Sequence, residues 1–186
     1  MDRFFTAGVP AAWPRAGVQI YTGDGKGKTT AAFGLALRAA GHGLRVYIGQ
    51  FMKRYPYGEL AALARLGDDV VVEQLGSAEC LPLRAEPAAA DVELARRGLA
   101  LASAALRSAE FAVVILDEAC VAVRFGLLSE ADLLALLEER PAGVELVLTG
   151  RWATPALVER ADLVTEMREI KHPFAAGWPA RDGIER

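Results

Sequence analysis

The sequence predicts a three-layer α/β domain in which a mainly parallel sheet lies between helices. Strand-like apolar runs alternate with helix-like runs along most of the chain, and the glycine-rich, basic and acidic stretches sit where those strands end. One strand, Phe-Ala-Val-Val-Ile-Leu over 111–116, is apolar without alternation, as in strands covered on both faces. With 186 residues, 53% of them hydrophobic, the chain fills one core well, whereas two domains would each be small. One domain is therefore expected over 17–186. Residues 1–16, with Phe4, Phe5 and Trp13, read as an irregular segment that packs on the domain or on a partner subunit, or stays disordered.

Charge and cysteine content narrow the function classes. A net charge of −3 argues against a broad surface for nucleic acid or acidic membrane and leaves room for a local basic pocket. Cys80 and Cys120 form no disulfide framework and lack metal-ligand spacing. No run reads as a signal sequence or a membrane span, so a cytoplasmic protein is expected.

The first strand, 18–21, runs through Thr22, Gly23, Asp24, Gly25, Lys26, Gly27, Lys28, Thr29 and Thr30 into a helix that ends at Gly41. Glycines at 23, 25 and 27 allow backbone N–H groups to converge beside the positive end of that helix, a nest suited to a triphosphate. Lys28 is then placed to reach a phosphate oxygen and Thr29 to ligate magnesium, as G-x-x-x-x-G-K-[ST] requires. Thr22 stands where the first glycine of that motif belongs. A glycine-rich turn that binds nothing is the plainer alternative, but strand, loop, Gly-Lys-Thr and helix occur in the order the motif demands.

His42 lies in a Gly-His-Gly turn, and a second strand follows over 44–51. Residues 52–58 leave its end with Lys53, Arg54, Tyr55 and Tyr57. Two readings fit this segment: a binding loop in which Lys53 is the first residue to test, or a solvated basic loop whose tyrosines cover the core edge. A short helix over 59–66, a third strand over 70–75, a loop over 76–87 and a long amphipathic helix over 88–108 come next. The apolar strand 111–116 then delivers Asp117 and Glu118 in a Walker-B-like placement. There a carboxylate can hold magnesium opposite Thr29, directly or through water, and its neighbour can complete the site or act as a base. Solvent-facing acids at a strand end are the alternative.

Ser129 and Asp132 resemble a capping-box start for a helix through Leu137 that stops near Pro141. A fifth strand, 144–149, feeds Gly150, Arg151 and Trp152, where Arg151 either meets phosphate or a carboxylate or serves structure. Thr154 and Pro155 read as N-cap and first-turn proline of a short helix. Residues 161–170 alternate like a half-exposed edge strand, and the tail from 171 has little periodicity.

Several landmarks occur together and in order: Gly-Asp-Gly-Lys-Gly-Lys-Thr-Thr-Ala-Ala-Phe-Gly at 23–34, Gln-Phe-Met-Lys at 50–53, Leu-Asp-Glu at 116–118, Thr-Gly-Arg at 149–151, Ala-Asp-Leu-Val-Thr-Glu-Met at 161–167 and Lys-His-Pro-Phe-Ala-Ala-Gly at 171–177. From about Val18 to Ile184 the chain resembles the P-loop corrinoid adenosyltransferases, whose phosphate loop also starts with a threonine-like residue. The resemblance implies a P-loop NTPase-like, RecA-like domain, a homodimer, and transfer of the 5′-deoxyadenosyl group of ATP to the Co(I) centre of a reduced corrinoid, with release of triphosphate. It implies a nucleotide reversed in the loop relative to P-loop hydrolases, magnesium as cofactor, and a flavoprotein-type reductant as a possible partner. Lys28 and Glu118 become the catalytic candidates, with Thr29, Asp117 and Glu118 as the metal shell. Gln50, Lys53 and Arg151 would line the nucleotide or corrinoid cleft.

One departure from the family stands out. Members that act on complete cobamides carry a Phe-x-Trp pair after the third strand, but residues 76–81 here read Gly-Ser-Ala-Glu-Cys-Leu. Either Leu81, Leu83 or the tyrosines at 55 and 57 do that job, or the substrate lacks a strong lower ligand; Cys80 reads as an ordinary thiol. The rival functions are a P-loop ATPase or small-molecule kinase, with Glu118 activating the attacking group, and a non-enzymatic, nucleotide-dependent corrinoid-binding module.

Overall fold

The computed structural model describes residues 15–53, 57–76 and 86–185. The expectations for residues 1–14, for Arg54 and Tyr55, and for the loop carrying Cys80, Leu81 and Leu83 fall outside these. Six strands form one sheet in the order β3-β2-β4-β5-β1-β6: β1 Val18–Thr22, β2 Val46–Phe51, β3 Val70–Leu75, β4 Val113–Asp117, β5 Glu145–Thr149 and β6 Leu163–Glu166. Every pairing among the described residues is parallel, in keeping with the mainly parallel sheet expected. Parallel neighbours need crossover helices, and the alternation of runs in the sequence supplies them.

Those helices divide between two faces, which gives the three layers. One core joins α1 (Lys28–Gly41) and α2 (Gly58–Leu63) to Val46, Ile48, Val113, Ile115 and Val147 of the sheet. The other joins α3 (Ala89–Ser108), α4 (Ala119–Arg124), α5 (Glu130–Glu139) and α6 (Pro155–Arg160) to Tyr47, Val114, Leu116, Leu146 and Leu148. Successive residues of β2, β4 and β5 therefore serve opposite cores, and all of β4 is buried. A fully buried aliphatic side chain of this kind stabilises the fold by about 1.5–3 kcal/mol, so the central strands anchor everything at their ends.

Local chemistry sets the helix limits. Ser129 Oγ accepts from the Asp132 N–H at 3.1 Å while the Asp132 carboxylate accepts from the Ser129 N–H at 2.7 Å, completing the capping box. Thr154 caps α6 with Pro155 in its first turn. In α3, a Cβ at Gly98 would stand 2.7 Å from the Cβ of Leu75, so glycine is what lets this helix lie close on β3.

Three details differ from expectation. The helix expected over 59–66 is α2 followed by a 3-10 segment, Ala64–Asp69, kinked at Gly67, whose φ of 62° suits glycine. The helix α4 was not expected, because six residues are too few to display a helical period. All four residues of β6 are exposed, as befits an edge strand, and they carry Leu163 and Val164 outward.

Candidate active site

The strand ends β1, β2, β4 and β5 meet at one cavity of about 950 Å³. Its wall includes Asp24, Gly25, Lys26, Gly27, Lys28, Thr29 and Thr30 of the phosphate loop, with Lys53, Glu118 and Arg151. Three of the residues that follow these strands and line the cavity, Met52, Glu118 and Trp152, hold left-handed backbone at φ 57°, 61° and 62°. Non-glycine residues in that region concentrate where a structure spends stability on function.

The phosphate loop is held from behind by the chain that leaves β6. The Gly25 N–H donates to the Met167 carbonyl at 2.7 Å, and the Met167 N–H donates to the Thr22 carbonyl at 2.8 Å. The Gly25 N–H is thus committed to the fold. A Cβ on Gly23, whose φ is 91°, would lie 2.4 Å from the Met167 carbonyl oxygen. Gly23→Ala is therefore expected to displace the loop and raise the Kd for ATP at least about tenfold, the loss of one interaction of about 1.4 kcal/mol; titration calorimetry would show it. Thr22 does not line the cavity: its hydroxyl accepts from the Ala153 N–H at 3.3 Å, tying the loop to the chain after β5.

Lys28 is buried, and its ammonium donates to the carbonyls of Gly23 at 2.7 Å and Gly25 at 2.8 Å. Burial and the nearby Arg151 lower its pKa below the ordinary lysine value, so an anion in the loop would be a welcome partner. Arg151 Nη2 donates to the Asp24 carbonyl at 3.2 Å, which places a second cation at the loop. Lys26 donates to the Ile184 carbonyl at 2.6 Å, with Glu185 at 3.4 Å. Residues 183–185 consequently form part of the cavity wall.

Asp117 is fully buried and accepts from four side chains. Thr29 donates to Oδ1 at 2.9 Å and Thr149 at 2.7 Å, while Lys53 donates to Oδ2 at 2.7 Å and Gln50 at 3.3 Å. Lys53 also donates to the Thr29 hydroxyl at 3.1 Å and lines the cavity. Burial opposes its charge, but Asp117 outweighs that penalty and raises the Lys53 pKa. Gln50 is fully buried, donates to Asp117 from behind and accepts from Gln74 at 3.4 Å, and it is not among the residues of the cavity wall.

The donor chemistry fits magnesium. A hydroxyl and a carboxylate oxygen stand 2.9 Å apart at the foot of the phosphate loop, and magnesium is commonly held by one or two carboxylates together with substrate phosphates. Among the described residues no group of three or more His, Cys, Asp or Glu forms a dedicated cage.

Glu118 faces the cavity, and its N–H donates to the Thr149 hydroxyl at 3.0 Å. Burial first, then the neighbouring Asp117, raises its pKa above the carboxylate norm. The folded state then holds this proton more tightly than the unfolded state, so ionising Glu118 costs stability as pH rises from its unfolded pKa through its folded one. Glu118→Gln is expected to remove that loss, and thermal melts from pH 4 to 8 with divalent ions chelated would show a flatter profile than the parent.

Trp152, Phe125, Val121, Tyr57, Phe33 and Ile184 complete the apolar lining. Of these, sequence pattern marked only Tyr57 as a candidate; α4, which delivers Val121 and Phe125, had no legible period.

Comparison with known proteins bears on this cavity. Residues 15–186 match the family model described as ATP:corrinoid adenosyltransferase BtuR/CobO/CobP. The chain is 36% identical over 167 residues to a corrinoid adenosyltransferase of Pseudomonas aeruginosa, spanning 89% of this chain and 81% of that one. It is 38% identical over 169 residues to a corrinoid adenosyltransferase of a Sinorhizobium species, with 89% and 78% covered. A corrinoid adenosyltransferase of Escherichia coli K12 is 37% identical over 167 residues, with 89% and 83% covered.

Proposed function

The chain belongs to the ATP:corrinoid adenosyltransferase family and uses ATP to adenosylate a corrinoid, and from that premise we propose that residues 23–30 hold the triphosphate of ATP as the leaving group. The observation that carries this is the convergence of Lys28, Thr29, Lys53, Glu118 and Arg151 on one cavity beside the loop amides. Cobalt(I) of the reduced corrinoid attacks C5′ of the ribose, the C5′–O bond breaks, and both electrons of that bond leave with the triphosphate. Such a substitution needs no side-chain base, because the metal is the nucleophile. What the protein supplies is alignment and a place for negative charge.

Lys28 and Arg151 oppose that charge directly, and the loop amides with the start of α1 add their partial positive charges. Thr29 and Asp117 would hold magnesium, with Glu118 beside them, some of these contacts through water. When bound, magnesium supplies Lewis-acid neutralisation of phosphate oxygens. Lys53 delivers charge to the same carboxylate, and Gln50 and Thr149 fix that carboxylate from behind.

The order β6-β1-β5-β4-β2, with β5 between the phosphate-loop strand and the Asp117 strand, supports the RecA-like arrangement within one domain over 17–186. Exposed Leu163, Val164, Ile170, Phe174 and Trp178 support a homodimer, since apolar surface of this extent gains by cover. A flavoprotein-type reductant would supply the electrons that keep cobalt in the attacking state, and a cytoplasmic setting accords with the free, buried Cys120. No helix among the described residues is long and apolar enough to cross a membrane.

The test is an anaerobic assay with chemically reduced cobalamin and, separately, a reduced incomplete corrinoid. Adding Mg-ATP should convert the spectrum to an alkyl-cobalt form with at least one of them. A spectrum that shifts on binding but never becomes alkyl-cobalt with either would contradict the proposal and leave a binding module.

A further inference from the structure

The cavity has one aromatic wall whose position is fixed by the phosphate loop. Trp152 is 45% exposed and lines the cavity beside Phe125 and Val121. The Phe125 ring meets the indole edge to face, with centroids 6.2 Å apart at 81°, and the Arg124 guanidinium lies 5.9 Å from the indole centroid. The ring is thus braced on the protein side and still presents nearly half its surface.

Its backbone makes that ring costly to keep. At φ 62° a glycine would relax the turn, whereas a bulky side chain is disfavoured. Both neighbours of Trp152 are fastened to the loop: Arg151 donates to the Asp24 carbonyl at 3.2 Å and the Ala153 N–H to the Thr22 hydroxyl at 3.3 Å. The indole is therefore held at a set distance from wherever the triphosphate lies. A purine joined to that triphosphate through a single ribose is confined to the same neighbourhood, while a corrin ring has no such tether.

We propose that Trp152, braced by Phe125 and Arg124, is the platform on which the adenine ring of ATP stacks, and so a specificity-determining residue of the adenosyl transfer. This rests on the cavity being the ATP site. Base–aromatic stacking of this kind changes binding by about tenfold or more when the ring is removed.

The experiment measures Kd for Mg-ATP and for magnesium tripolyphosphate, together with KM for the corrinoid, in the full chain and in Trp152→Phe, Trp152→Ala and Trp152→Gly. ATP binding should weaken about tenfold or more in the alanine and glycine variants and largely recover in the phenylalanine variant. Tripolyphosphate binding and the corrinoid KM should not move, and the glycine variant should melt no lower than the parent because its backbone strain is relieved. Unchanged ATP binding in a glycine variant that still binds tripolyphosphate overturns the platform. An effect confined to the corrinoid KM overturns it as well and gives the ring to the corrinoid. Failure of the parent to bind tripolyphosphate would instead overturn the cavity's assignment to ATP, and the platform with it.

Discussion

Replacing Lys28 by alanine should lower kcat/KM for adenosyl transfer by at least about a hundredfold, the scale on which a positioned charge at a transition state contributes. The ammonium sits 2.7 and 2.8 Å from the carbonyls of Gly23 and Gly25, inside the loop and buried. No other cation among the described residues is placed in the same way, since Arg151 reaches the rim through Asp24 and Lys26 points to Ile184. The substitution also takes their donor from two loop carbonyls, so part of the loss will appear as weaker ATP binding. Lys28→Arg separates the two contributions: it keeps the charge, but a planar fork cannot follow the same path between those carbonyls. Single-turnover appearance of the alkyl-cobalt spectrum measures both variants, and transfer by the alanine variant at the parent rate would show that the loop assignment is wrong.

Replacing Asp117 by alanine should unfold the protein more easily and also stop catalysis. This carboxylate is fully buried and takes hydrogen bonds from Thr29, Thr149, Lys53 and Gln50. Its removal takes from the Lys53 ammonium, itself largely buried, its hydrogen-bonded carboxylate, and breaking a buried pair in this way typically costs about 3–5 kcal/mol. For a domain of this size that corresponds to a fall in Tm of roughly 10 °C. Asp117→Asn keeps the shape and some of the hydrogen bonds, so it should recover part of the stability and little of the activity. Scanning calorimetry beside the transfer assay distinguishes these outcomes, and an alanine variant with parental Tm would contradict the role given to Lys53.

How much of this was legible in the chain depends on the range over which each signal acts. The phosphate loop and the pair Asp117–Glu118 were visible because each is a short run at the end of a strand with strong apolar character. The two helix caps were equally plain, since Ser129, Asp132, Thr154 and Pro155 act on backbone groups within their own turn. What stayed hidden depends on distant partners. The grip of Met167 on Gly25 joins residues far apart in sequence, and nothing near Gly25 announces that its N–H is already taken. Gln50 was legible at its strand end, but its hydrogen bond to the buried Asp117 is set by how β2 and β4 lie together. Trp152 was in view, yet its aromatic partner Phe125 arrives on α4, too short to be read. The wall formed by residues 183–185 follows from a lysine–carbonyl contact across the whole chain.

The central claim is that the loop holds a triphosphate which departs whole, with the bond breaking at carbon. The direct measurement is a single turnover with reduced corrinoid and Mg-ATP in water enriched in oxygen-18, followed by mass analysis of the phosphorus products. Attack of cobalt on C5′ predicts unlabelled, intact tripolyphosphate in equal amount to the new cobalt–carbon bond. Orthophosphate carrying solvent oxygen, formed in step with turnover, would contradict it and place the reaction at phosphorus.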